Sequence, residues 1–308
     1  MERWGDKRYY SLDYYVKQTF HEKLYKIALD GGMTCPNRDG TLGNTGCIFC
    51  SAGGSGDFAG DRNVSIKEQI SDGKSLVQRK HTGSSYIAYF QAYTNTYAPV
   101  SYLEQIFMEA LQEPDVKVLS IATRPDCLSD DILDLLNRLN QIKPVWIELG
   151  LQTIHEKSAE FIRRGYPLSM RAVTQLHHIG IPVIVHTILC LPNETKQMML
   201  DTISYLNRLP IQGIKLQLLH ILKHTDLAKS YEQSPFWLPS LEEYLELLGV
   251  LISHLRPDIV VHRLTGDGPK NLLIAPKWTA NKRLVLNSIQ KYFKDTDIWQ
   301  GKDYLSHA

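Results

Sequence analysis

Three of the chain's five cysteines fall in one polar loop, CPNRDGTLGNTGCIFC, as Cys35, Cys47 and Cys50. Cys47 and Cys50 form a Cys-x2-Cys pair, a spacing that lets two thiolates reach one metal centre from a tight turn. Gly40, Gly43 and Gly46 allow the chain to double back and bring Cys35 to the same place. Unpaired cysteines favour buried, apolar positions, so packing does not account for three of them here. Two metal chemistries fit. Structural zinc takes four protein ligands, and the nearest further candidates, His21 and His81, stand in no zinc-like spacing. An iron–sulfur cluster is usually held by four cysteines; with three, one iron keeps an open position, which is where substrate chemistry takes place on a metal. Cys127 and Cys190 stand at the ends of other strand-like segments.

The elements that must position these residues alternate along the chain. Apolar runs at 24–30, 85–91, 116–122, 145–150, 183–189 and 214–219 read as strands, with a weaker candidate at 258–264. Helical periodicity fills the gaps. Ser65–Glu68, Ser101–Glu104 and Ser240–Glu243 each have the Ser-x-x-Glu form of a capping box. A repeat of about thirty residues is the size of a βαβ unit and predicts a parallel sheet, either open and doubly wound or closed toward a barrel. The polar residues cluster just after the strands: Gln91 and Thr94, Thr123 with Arg124-Pro125-Asp126, Glu148 and Gln152, His186, His220, and the segment Arg263 to Asp267. Parallel α/β folds bind ligands beyond the carboxyl ends of their strands, so these loops should converge on one site.

Bulk composition narrows the class. The 308 residues are 43% hydrophobic and 22% charged, with a net charge of +1. These are ordinary globular values and argue against a broad nonspecific nucleic-acid surface, while leaving room for a compact grip on one RNA loop. No apolar run is long enough to span a bilayer, and the first residues lack the apolar core of a secretory signal, so the expected setting is cytoplasmic, without membrane contact. Five cysteines in a chain of this length make no disulfide framework. The tyrosines at 9, 10, 14 and 15 suit an N-terminal helix packed on the sheet better than a base-stacking face.

The Cys-x11-Cys-x2-Cys loop with Phe49 before its last cysteine, followed by a β/α repeat, resembles the radical S-adenosylmethionine (SAM) superfamily. The first gap is longer than that superfamily's common Cys-x3-Cys-x2-Cys and is similar to the branch of the catalytic subunit of Elongator. GMTCPNRDG, GCIFC, FQAYTNTYAP, ELGLQT, HTILCLPNET and HRLTGDGPK together resemble the YtqA/YhcC-like family of that branch, over roughly residues 5 to 295. The resemblance implies a partial (β/α)6 TIM-like barrel of parallel strands, core 24–222, in a single radical SAM domain over 1–308, with an N-terminal extension and a C-terminal one at 236–308. It implies a [4Fe–4S] cluster on Cys35, Cys47 and Cys50, with SAM on the fourth iron. Phe49 would lie near the adenine. Gln91, Thr94, Thr123, Glu148, Gln152, Arg164 and His186 fall at cofactor-contacting positions, although the Gln91–Asn95 segment lacks the family's glycines. Cys190 replaces the first glycine of a Gly-Leu-Pro-Gly-Glu turn and is expected to pack.

The chemistry so implied is cleavage of SAM and hydrogen abstraction by a 5′-deoxyadenosyl radical. The residues do not name a catalytic side chain or a substrate. With no second cysteine cluster, sulfur insertion is not expected, and residues 256 to 308 are too few for an acetyltransferase domain of the Elongator type. The family resemblance implies wobble-uridine modification in transfer RNA, 5-carboxymethylaminomethyl becoming 5-aminomethyl. An electron donor such as flavodoxin or ferredoxin would serve it, and Arg3, Lys7, Arg8, Lys17, Lys23 and Lys26 would grip the anticodon arm. Two rivals stand beside it: a radical SAM enzyme acting on a small metabolite, and a non-catalytic protein whose zinc loop organises an interaction surface.

Overall fold

The computed structural model describes residues 4–78, 83–168, 171–266 and 268–305. Arg3, His81 and Asp267 lie outside them. Seven strands form one sheet: β1 (Leu24–Leu29), β2 (Ser85–Phe90), β3 (Val116–Thr123), β4 (Val145–Gln152), β5 (Val183–Leu189), β6 (Gly213–Leu218) and, at the far edge, β8 (Val260–Arg263). Every neighbouring pair is parallel. The sheet curls into a half-barrel, the partial TIM-like form expected. A two-stranded antiparallel ribbon, β7 (Ile221–Leu222) with β9 (Leu273–Ala275), stands apart from it. The weakest candidate strand is thus a full member of the sheet, added to the six by pairing with β6.

Two of the three capping boxes form. Ser65 and Glu68 exchange both bonds before Ile66–Gln78, and Ser240 and Glu243 do so before Leu241–His254. Ser101 does not cap. The helix Val100–Gln112 starts one residue earlier, after Pro99, whose fixed φ is already suited to a helix entry.

The inner face of the half-barrel is layered, because side chains two apart on a strand share a face. Leu24, Ile87, Val118, Trp146 and Ile184 form a buried apolar layer together with Val16 of the helix Leu12–Phe20. Trp146 also meets Tyr15, Phe20 and His262. The N-terminal helix therefore closes one end of the barrel. Tyr9 sets its ring edge-on against Phe293 of the helix Lys282–Asp295, and Tyr10 packs on Trp4, Tyr14 and Tyr15. These tyrosines pack, as the sequence suggested. Two residues further along each strand, the inner layer turns polar: Lys26, Tyr89, Ser120, Glu148, His186 and Lys215. The outer face carries the main core between sheet and helices.

Candidate functional site

Above the polar layer lies a cavity of about 220 Å³. All eleven residues singled out from the sequence line it: Cys35, Cys47, Phe49, Cys50, Gln91, Thr94, Thr123, Glu148, Gln152, Arg164 and His186. They converge because seven parallel strands end on the same side of the sheet.

The cysteine loop is tied down from two directions. Arg38 reaches back to the carbonyl oxygens of Ser51 (2.7 Å) and Cys50 (3.4 Å). Gly46, with φ +75°, admits it; a Cβ there would stand 2.7 Å from Arg38 Nε. Asn37, 6% exposed, donates from Nδ2 to the carbonyl oxygens of Arg163 (2.8 Å) and Arg164 (3.1 Å) and lies 3.5 Å from Cys47 Sγ. Its Oδ1 accepts from Arg124 Nη1 at 2.8 Å, and the same Arg124 nitrogen lies 3.6 Å from Cys35 Sγ. Hydrogen bonding from the Cys50 thiol, reinforced by Asn37, Arg124 and Arg38 against the effect of burial, brings Cys47 down to about 7. Cys50 is pushed up in return, chiefly by the same bond. Burial raises Cys127 and Cys190 to about 12, which leaves both as thiols. Cys190 sits in the core at φ +63°, the backbone region where a glycine is at ease. Among the described residues, no three His, Cys, Asp or Glu side chains converge on a single ion.

The remaining expected contacts differ in what they have to offer. Gln91 donates to Ser55 O at 2.6 Å, and Gln152, at φ +62°, accepts from the Tyr166 hydroxyl at 3.1 Å. Thr123 shares a 2.5 Å hydrogen bond with Thr96, while Thr94 is buried beside them. Tyr93 of the glycine-free segment takes φ +59°, and its ring occupies the space a Cβ on Gly54 would need. Arg164 has spent its donors: Nε on Tyr166 O, Nη1 on Leu151 O and Thr153 O, Nη2 on both Glu156 oxygens. Glu148 is equally engaged and wholly buried. Oε1 accepts from Lys26 (2.7 Å) and Ser120 (3.0 Å); Oε2 accepts from His186 (2.7 Å) and Lys215. Burial alone would raise this carboxyl, but Lys215 and Lys26 outweigh it and hold it ionised. Burial, with Lys215 alongside, lowers His186 to about 4, so the ring is neutral and its Nε2–H donates to Glu148.

Sequence reasoning missed Asn37, Arg38, Tyr89, Tyr166 and Lys215. For Lys215 a signal existed: in Ile-Lys-Leu-Gln-Leu, Lys215 and Gln217 alternate with apolar residues and must share a face. The proposed RNA-gripping set is no open cationic surface. Lys7 pairs with Asp6, Arg8 with Asp297 and Lys17 with Asp13; Lys23 lies over the Tyr25 ring, and Lys26 is inside the barrel. The rim of the cavity holds a different set. Phe58 is 58% exposed there, and Arg38 and Arg62 lie 5.6 and 5.9 Å from the centroid of the Tyr93 ring. Among the described residues no helix is long and apolar enough to cross a membrane.

Comparison with known proteins agrees with this geometry. The Radical SAM superfamily pattern matches residues 40–206, and that of the Radical_SAM C-terminal domain matches 211–295. Cys47 and Cys50 fall inside the first match and Cys35 just ahead of it. YtqA of Bacillus subtilis is 45% identical over 299 residues, 96% of this chain and 93% of that protein. YhcC of Escherichia coli K12 is 37% identical over 286 residues, 92% of this chain and 91% of that one. Among solved structures, archaeal Elp3 of Methanocaldococcus infernus with residues 1–46 deleted superposes with a TM-score of 0.65 at 15% identity. That match covers 90% of this chain and 64% of the other, and it is a likeness of fold.

Proposed function

The chain belongs to the radical SAM superfamily, in the family of YtqA and YhcC, and on that premise we propose that it modifies the wobble uridine of transfer RNA, converting 5-carboxymethylaminomethyluridine to 5-aminomethyluridine. It is an enzyme, and its cofactors are a [4Fe–4S] cluster and SAM. The donor set fits that cluster. Three thiols share one cavity wall, Cys47 is drawn toward its thiolate form, and the geometry is not that of a single ion. Cys35, Cys47 and Cys50 would be its ligands. When bound, the reduced cluster and SAM together supply a 5′-deoxyadenosyl radical able to take hydrogen from an unactivated carbon.

The chain's own residues bind, orient and exclude water. Phe49 would lie against the adenine. Gln91, Thr94, Thr123 and Gln152 have the polar groups to hold SAM. Arg164 and Glu148, with their hydrogen bonds already committed, shape the wall rather than clamp a ligand. Residues 1–308 would work as one domain, a reading supported by β8, from the C-terminal extension, completing the sheet. A cytoplasmic setting suits the reduced thiols.

In this reading the N–CH2–COO⁻ carbon of the substrate gives up a hydrogen atom and then a second electron. The resulting imine hydrolyses to the 5-aminomethyl group and glyoxylate. A donor of the flavodoxin or ferredoxin class would supply the reducing electron. For RNA the single carrying observation is the rim: an exposed Phe58 near the stacked guanidinium groups of Arg38 and Arg62 is a platform for an unpaired base.

The test has two arms. Anaerobically reconstituted protein is reduced in the presence of SAM, and 5′-deoxyadenosine is assayed with and without transfer RNA; transfer RNA from cells lacking the protein is digested to nucleosides. Stimulation by RNA carrying 5-carboxymethylaminomethyluridine, and build-up of that nucleoside in the cells, are expected. Unchanged nucleosides would overturn the RNA reading, and stimulation by a metabolite alone would favour the small-molecule rival. Zinc without iron or sulfide would leave the interaction-module rival.

A further inference from the structure

The polar layer beneath the cavity carries more positive than negative charge. Lys26 and Lys215 both converge on Glu148, and His186 alongside them is neutral. Arg263, from the neighbouring strand, reaches Gln217 Oε1 at 3.3 Å. In the β6–β8 register Lys215 stands directly across from Arg263, and in the β5–β6 register His186 stands across from Lys215. Three cations therefore face one carboxylate. Lys215 is 3% exposed. Among the described residues its ammonium has two acceptors, Glu148 and Tyr89 Oη at 3.2 Å, for three N–H donors. A buried excess of positive charge is costly unless an anion completes it.

The position matters as much as the charge. The cysteine loop follows β1, at one edge of the sheet, and Gln91, Thr94, Thr123 and Gln152 follow β2 to β4. Lys215, Gln217 and Arg263 lie on β6 and β8, at the other edge, and line the same cavity. Cluster and cofactor would fill the first side, which leaves the cationic side to the substrate.

We infer that Lys215, Gln217 and Arg263 form a carboxylate-binding subsite that holds the anionic end of the substrate's side group. This rests on the radical chemistry proposed above and names what the far wall of that site recognises. A carboxylate held there fixes the carbon next to it, which is where an N-carboxymethyl group must lose its hydrogen. A bidentate guanidinium contact would also orient the group and reject an uncharged analogue.

The experiment measures binding without reductant, so that nothing turns over. Reconstituted enzyme with SAM is titrated with an anticodon stem-loop RNA carrying 5-carboxymethylaminomethyluridine and with the same RNA whose carboxylate is an amide. N-benzylglycine and its amide serve as probes of the subsite alone. The wild type should prefer each carboxylate by about tenfold or more. Arg263→Gln and Lys215→Met should each bring the preference within about twofold while iron content stays at the wild-type level. Arg263→Gln covers the case in which removing Lys215 disturbs Glu148 and the fold. Equal binding of acid and amide by the wild type, or a preference that survives both substitutions, overturns the subsite. A preference for N-benzylglycine combined with no RNA-dependent 5′-deoxyadenosine on reduction would sustain the subsite and sink the RNA reading instead.

Discussion

Asn37 Nδ2 lies 3.5 Å from Cys47 Sγ and 2.8 Å from the carbonyl oxygen of Arg163. One short side chain thus joins the cysteine loop to the turn that follows the helix Glu156–Phe161, while its Oδ1 takes Arg124. Gly165, at φ +79°, makes room for this: a Cβ there would sit 2.3 Å from Asn37 Oδ1.

Asn37→Ala should therefore cost about 2–3 kcal/mol, because it strands two buried carbonyls and a guanidinium donor. Gly165→Ala should cost a similar amount by expelling the same amide and straining the backbone. Urea unfolding of both variants reads this out, and a shift under about 1 kcal/mol in both would contradict the role given to Asn37.

Cys35→Ala, Cys47→Ala and Cys50→Ala should each abolish cluster assembly, since each removes a thiolate from the shared wall. Cys127→Ala and Cys190→Ala should keep it, because both remain protonated thiols committed to packing or a polar turn. Iron and sulfide content after anaerobic reconstitution separates the two groups. A full cluster in Cys50→Ala would refute the ligand assignment.

Stability should fall with acid in a window set by His186. Its folded value is about 4, against 6.5 for an ordinary imidazole. Above pH 6.5 both states are neutral and the ring contributes nothing. Between 6.5 and 4 the unfolded chain binds a proton that the folded site refuses, so folding weakens as pH drops, by about 2–3 kcal/mol in total. Below 4 this loss is complete. Lys215, Lys26 and Arg263 oppose protonation and Glu148 favours it. Urea midpoints across this range should show a shallower slope for His186→Gln than for the wild type.

The capping boxes offer a cleaner contrast. Ser240→Ala should cost about 1 kcal/mol, because Ser240 accepts from Glu243 N while its own N–H is taken by the Glu243 carboxylate. Ser101→Ala should change stability by less than about 0.5 kcal/mol, since Ser101 already lies inside its helix. Thermal unfolding of the two variants distinguishes a formed box from one that exists only as a spelling.

That contrast shows where sequence reading succeeds. Strand period, helix period and the βα alternation are local, and six strands were legible within a residue or two at most ends. The seventh, Val260–Arg263, was weak because it is short and carries His262 and Arg263, and pairing with β6 makes it a strand. The metal-binding loop was legible because three cysteines in a polar, glycine-rich stretch have few other uses. By contrast, Lys26 read as a surface cation and is buried beside a carboxylate 122 positions away in sequence.

The sequence by itself determined the order of elements, the side of the sheet on which the polar loops gather, and the chemistry of the cysteines. Each follows from spacing within a short segment. Only the tertiary structure decided which charges meet. Glu148 binds Lys26, Ser120, His186 and Lys215 from four other strands, and Arg164 turns its donors onto its own neighbourhood. Curling the sheet brings the same layer of every strand to one interior, so the partners of a buried charge depend on the closure of the barrel and on no local pattern.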